Sequence, residues 1–183
     1  PEAVVERIRE IRRLTGGPIG VNVILELQPL DAIEAILAEG VEVLATGFGD
    51  PARAIALAHA HGAKVFHRCE TPEEARLAIA EGADVLVAQG SDGGGHTGCV
   101  PTLPLVPQVV DVAEGRPVLA AGGIADGRGL VAALALGADG VLLGTRLVAS
   151  LESGAHPAYK DRVAAATASD SVVTDVFEIG WPG

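Results

Sequence analysis

Short apolar runs alternate with amphipathic stretches along this chain, and one phrase keeps returning: EGVEVLATG at 39–47, HGAKVFHRC at 61–69, EGADVLVAQG at 81–90, EGRPVLAAGG at 114–123 and LGADGVLLG at 136–144. In each phrase a glycine, at 40, 62, 82, 115 or 137, suits the left-handed residue that ends a helix. The Val-rich run after it has the length of a buried parallel strand. Between the runs, DAIEAILAE, ARAIALAHA, PEEARLAIAE and GRGLVAALAL carry apolar residues at helical spacing. Adding PIGVNVIL at 18–25 and the amphipathic segment before it gives six strands in a serial βα pattern, joined by parallel crossovers.

The period of 20 to 22 residues is short for an open doubly wound sheet and fits the compact units of an α/β (β/α)₈ TIM barrel, typically about 250 residues long. Residues 1–183 are therefore read as a single-domain TIM barrel that is incomplete, with about six βα units present and the N-terminal two missing. The chain lacks an initiator Met and opens inside a predicted helix, which fits a fragment. An open flavodoxin-like sheet is the other arrangement, disfavoured because the pattern requires no reversal of strand order. The spacing breaks once, between Gly82 and Gly115, where GSDGGGHTGCVPTLPLVP enlarges one βα loop. An enlarged loop on a regular scaffold is where chemistry usually sits.

Composition narrows the partners. A net charge of −11 disfavours nucleic acid and anionic membrane surfaces, so an anionic ligand requires a local positive site. No apolar run approaches the roughly 20 residues that span a bilayer, and the start PEAVVERIRE does not read as a secretion signal. Cys69 and Cys99 form no CxxC pair or disulfide framework and read as reduced thiols, which suggests a cytoplasmic protein.

A barrel gathers the carboxyl ends of its strands on one face, so candidates follow from position: Asn22, Gly47 to Gly49, His67 to Cys69, Gln89 to Gly98, Gly122 to Asp126 and Gly144 to Arg146. The loop GSDGGGHTG sets His96 among five glycines, which let main chain approach a ligand. Gly122, Gly123, Gly144 and the Thr145 hydroxyl suit the phosphate cradle that barrels carry after their last two strands. A tight turn at Gly122 and Gly123 and an ion pair at Arg146 are the plainer readings. His67 and Arg68 alternate, so only one points into the barrel; Arg68 is the expected ligand contact, since it offsets ligand charge in an acidic protein. His59 and His61 lie about 200° apart around a helix and cannot share a metal, and His156 sits in a tail segment. There is no HExxH, CxxC or EF-hand spacing, so no metal is indicated, and no GxSxG elbow.

With these residues assembled, the chain resembles the nitronate monooxygenase (2-nitropropane dioxygenase) family of FMN-dependent TIM-barrel flavoenzymes. PIGVNVI is similar to the family's GVN strand, AQGSDGGGHTG to its AQGxExGGHxG loop, AAGGIADGRGLVAALALGADGVLLGTR to its paired phosphate motifs and TDVFEIGWPG to its C-terminal stretch. The resemblance implies that Asn22 and Gln89 hydrogen-bond FMN, that Gly94, Gly122, Gly123, Gly144 and Thr145 line the flavin and its phosphate, and that His96 is the catalytic histidine. Asp92 stands where the family more often has Glu, Arg68 where Lys is common, and the family's first two strands with their Pro-Met-Gly loop have no counterpart here.

The implied reaction is oxidation of an alkyl nitronate with O₂ to a carbonyl compound and nitrite. His96 would bind the nitro oxygens or act as general base on a nitroalkane, an imidazole having an ordinary pKa of about 6.5. Enoyl-acyl-carrier-protein reductases and NAD(P)H:quinone reductases of the same superfamily are the near alternatives. A flavin-free phosphosugar isomerase or synthase, and a non-catalytic phosphate-binding protein, are the remote ones. A homodimer is possible.

Overall fold

The computed structural model describes residues 2–176. Helix α1 (Glu2–Leu14) precedes six strands: β1 (Gly20–Ile24), β2 (Val43–Gly47), β3 (Lys64–Cys69), β4 (Val85–Gln89), β5 (Val118–Ala121) and β6 (Gly140–Leu142). Between them run α2 (Leu30–Leu37), α3 (Ala52–Ala60), α4 (Pro72–Glu81), α5 (Thr102–Val112) and α6 (Gly127–Ala135), and after β6 come α7 (Thr145–Val148) and α8 (Pro157–Ala165). All strands are parallel and lie in the order β1 to β6. That order is the one a (β/α)₈ barrel requires, and it lacks the reversal that defines an open flavodoxin-like sheet. The five glycines of the repeat all adopt positive φ, from +72° at Gly40 to +100° at Gly82, so each helix is turned back toward its next strand by the one residue type that does this without strain.

One boundary differs from the sequence pattern. TLPLVP, grouped with the enlarged loop by spacing, is the start of α5. Pro104 falls in the first turn, where a missing N–H costs nothing, and Pro107 is tolerated inside the helix at the loss of one bond. The loop proper therefore spans 90–101.

Register divides the side chains of the sheet cleanly. Leu44, Val65, Leu86 and Val118 face the helices and are fully buried. They pack against Ile33 and Leu37 of α2, Ile55 and Ala58 of α3, Ala75 and Ala78 of α4, and Leu105 and Val109 of α5. Alanines at the contact points let the helices lie close to the sheet. On the opposite face Asn22 aligns with Ala45 and Phe66, Arg68 with Val87, and Gln89 with Ala121. This is the face on which the polar candidates lie.

The repeated phrase also fixes register electrostatically. Glu42, Asp84 and Asp139 each stand two residues past the turning glycine, and each carboxylate accepts a backbone N–H at the amino end of the preceding strand: Ile19 N at 2.8 Å, Val65 N at 2.8 Å and Val118 N at 2.8 Å. The backbone N–H of the same acids donates back, Glu42 to Ile19 O, Asp84 to Val65 O and Asp139 to Val118 O. Hydrogen bonds from Arg12 and Ile19 N hold Glu42 at about 2. Burial works against ionisation of Asp84, but Lys64, the Val65 N–H and His59 outweigh it and leave its pKa at about 2. His59 is thus engaged with Asp84 at 2.9 Å, and His156 caps α8 by accepting the Ala158 N–H.

The loop after β4 is seated against β5 and α5. Gly90 N donates to Ala121 O, Ser91 N to Val100 O, and Thr102 N to Asp92 Oδ2 at 2.7 Å. A Cβ at Gly122, where φ is +104°, would lie 2.7 Å from Thr102 Oγ1 and 2.9 Å from Gly90 O. Gly122→Ala should therefore cost about 2 kcal/mol or more of stability, measured by denaturant unfolding; a variant as stable as wild type would contradict this packing.

His67 points into the helix layer, 5% exposed, with Nδ1 2.8 Å from Thr46 Oγ1. Burial, and then the charge of Arg68, lower its pKa to about 4. The unfolded chain takes up a proton below about pH 6.5 that the folded chain refuses until about pH 4, so stability is full above this window and declines as pH falls through it. The loss should reach about 3 kcal/mol. His67→Gln should flatten stability between pH 6.5 and 4, and an unchanged slope in urea unfolding across that range would sink the assignment.

Candidate active site

The carboxyl ends of β1 to β4 surround a cavity of about 270 Å³ lined by Asn22, Thr46, Phe48, Arg68, Gln89, Gly94 and His96, with Val23 and Ile24 on its apolar side. Asn22 stands on β1 and Gln89 ends β4, both directed by the two-residue periodicity of their strands. Gln89 Nε2 donates to His96 O at 3.5 Å, which joins the strand end to the loop. Gly94 is pressed against the last βα connection, since a Cβ there would come within 2.6 Å of Thr145 Oγ1.

Arg68 is the cation of the site. It points to the cavity side while its neighbour His67 points away, as alternation requires. Gly47 makes this possible: a Cβ at 47 would lie 3.2 Å from Arg68 Cβ. Phe48, in the left-handed region at φ 58°, places its ring 3.6 Å from the guanidinium carbon, a cation–π contact. His96 meets the same ring edge-on at 6.4 Å. Arg68 Nη2 pairs with Glu70 Oε1, whereas Nε and Nη1 are buried with no hydrogen-bond partner among the described residues. Two buried donors on a cavity-lining side chain are costly unless an occupant accepts from them.

Five of the nine candidates thus line one cavity: Asn22, Arg68, Gln89, Gly94 and His96. Gly122, Gly123, Gly144 and Thr145 do not line it. They lie at the ends of β5 and β6, with Gly123 in the left-handed region at φ +67° and Gly144 and Thr145 exposed where α7 begins. Cys69 is buried in the helix-facing layer, where burial, together with the charge of Glu74, pushes its thiol up to about 12. Neither Cys69 nor Cys99 is in a disulfide.

Sequence reasoning missed three contributors. Phe48 falls within a strand-end set but carried no role there. Thr102 anchors the loop, its hydroxyl donating toward Ala121 O and Gly122 O. Glu70 was overlooked, although an acid two residues after an inward-facing arginine is a signal for a partner on the same strand end. The C-terminal resemblance falls on residues 174–183, of which 177–183 lie outside the described residues.

The family model described as nitronate monooxygenase matches residues 28–180. The chain is 39% identical over 170 residues to a probable nitronate monooxygenase of Staphylococcus saprophyticus, covering 86% of this chain and 47% of that protein. It is equally 39% identical over 170 residues to (3aS,4S,5R,7aS)-5-hydroxy-7a-methyl-1-oxo-octahydro-1H-indene-4-carboxyl-CoA dehydrogenase of Mycobacterium tuberculosis, covering 91% and 48%. Among solved structures, FabK from Thermotoga maritima superposes with a TM-score of 0.91 at 42% identity, covering 96% of this chain and 56% of that one. The chain spans about half the length of the curated relatives it matches. With the family model matching most of its length, this chain belongs to the nitronate monooxygenase family.

Proposed function

We propose that this chain is the FMN-binding part of a nitronate monooxygenase, which oxidises alkyl nitronates with O₂ to carbonyl compounds and nitrite. The observation that carries the reading is the convergence of Asn22, Arg68, Gln89, Gly94 and His96 on one cavity in which Arg68 keeps two buried N–H donors unpartnered. A flavin fits this donor set. Its ring edge bears carbonyl and ring-nitrogen acceptors for Arg68 Nε and Nη1 and for the carboxamides of Asn22 and Gln89, while Gly94 presents no side chain to obstruct it. Main-chain N–H groups around Gly122, Gly123 and Gly144, with the Thr145 hydroxyl, would hold the FMN phosphate. When bound, the flavin supplies the electron-transfer chemistry that no side chain here can.

The chain's own residues then bind, orient and move a proton. Arg68 offsets negative charge in an otherwise acidic protein, and its contact with the face of Phe48 holds the guanidinium in place. A ring nitrogen of His96 holds a nitro oxygen of a nitronate, or takes the α-proton of a neutral nitroalkane. Segments beyond this sequence would supply the remaining strands of the barrel and the opposite wall of the substrate space, in keeping with the share of the relatives that the chain spans.

A reductase on the same scaffold is the second reading, favoured by the likeness to FabK at 42% identity. Visible spectra of the full-length protein, followed by anaerobic mixing, separate the two. Bleaching of bound flavin by nitronate alone supports the monooxygenase; bleaching by NADH or NADPH supports a reductase; failure to bind FMN at all removes both. His96→Asn should retain FMN and lose about 100-fold or more in turnover. Unchanged turnover would exclude the histidine from the chemistry.

A further inference from the structure

We propose that Glu70 is a positioning residue that ties the His96 loop to Arg68, so that one carboxylate sets both the place of the loop and the charge presented to the cavity; the second half of this inference rests on the flavin reading above. Glu70 Oε1 accepts from two directions at once, from Arg68 Nη2 and from the backbone N–H of Gly98, two residues after His96. The loop is anchored near its start by Gly90 N to Ala121 O and by Asp92 to Thr102 N, and Glu70 provides the matching anchor at its other end. The fit is close: a Cβ at Gly98 would lie 3.1 Å from Glu70 Cβ and 3.1 Å from Cδ.

Glu70 is itself held. Its N–H donates to Glu74 Oε2 at 2.7 Å, and Glu74 N donates to Thr71 Oγ1 at 3.1 Å, so the β3–α4 turn is locked to the first turn of α4. The side chains of Arg68 and Glu70 are 12% and 20% exposed, which places their pairing largely out of solvent, where screening is weak. By engaging Nη2, Glu70 leaves Nε and Nη1 as the donors available to an occupant. By carrying a negative charge it also reduces the net effect of the cation: Arg68 alone would stabilise an anionic occupant more strongly than the pair does. The carboxylate is thus a fixed counterweight to the arginine.

The loop anchor is read without flavin. In the flavin-free full-length protein, hydrogen exchange in a peptide spanning 93–99 should quicken by about tenfold or more in Glu70→Ala, with a smaller rise in Glu70→Gln, in which a weaker neutral acceptor remains. Unchanged exchange in both overturns the anchor. The charge role is read on the FMN-loaded protein by its midpoint potential. Glu70→Gln should raise the potential, because reduction adds negative charge beside an arginine that has lost its counterweight, while Glu70→Asp, which keeps the charge on a shorter arm, should leave it near the wild-type value. An unchanged potential in Glu70→Gln overturns that role. If Glu70→Ala does not fold, the Gln and Asp variants carry both measurements. Wild-type protein that binds no FMN rejects the flavin reading, while the exchange result still decides the anchor.

Discussion

The register of six parallel strands is the constraint on which everything else rests. Parallel strands have no hairpin to set their alignment, and a slip of one residue would turn every side chain to the wrong face. Here Glu42, Asp84 and Asp139 each accept a backbone N–H at the amino end of the preceding strand, while their own N–H donates to the carbonyl of that same residue. The two contacts fix the alignment of β1 with β2, of β3 with β4 and of β5 with β6 at their amino ends. Everything at the carboxyl ends, including which of His67 and Arg68 faces the cavity, follows from that alignment.

The two ends of the sheet are built to different rules. At the amino ends, charge is matched locally: Arg12 with Glu42 and Lys64 with Asp84, which His59 also hydrogen-bonds. At the carboxyl ends the polar groups are deliberately left less satisfied. Arg68 is stacked on Phe48 and paired at one nitrogen only, with two donors unspent in the protein. Native interiors seldom tolerate such groups without a use for them, because each forfeits its hydration on burial. The contrast between a balanced base and an unbalanced mouth is the physical signature of a site on this scaffold.

Glycine has two separate roles. At 40, 62, 82, 115 and 137 it turns helices into strands and serves the fold. At 90 and 122 it removes side chains where the loop after β4, the start of α5 and the end of β5 share a volume that one added methyl group would overfill, and at 94 and 98 it lets the same loop lie against Thr145 and Glu70. The loop bearing His96 is therefore a fitted piece rather than a free one, which is why a carboxylate as distant in sequence as Glu70 can reach it.

The sequence by itself determined the architecture. Periodic glycines and Val-rich runs of strand length specify a serial βα fold because a parallel strand must be apolar on both faces and its helix must reverse through a left-handed residue, and both demands are local. Strand-end position also grouped Asn22, Arg68, Gln89, Gly94 and His96 among the candidates on the common face, and the family resemblance supplied the roles expected of Asn22, Gln89, Gly94 and His96. The start of α5 at Thr102 was hidden behind its prolines, which propensity counts against a helix although the first turn accepts them. Only the tertiary structure decided that Phe48 lies against Arg68, that Thr102 seats the loop, and that Glu70 joins Arg68 to Gly98. Apart from the local Arg68–Glu70 pair, those pairings span from 10 to 28 positions of chain, beyond any periodicity, and depend on distances that exist only in the folded chain.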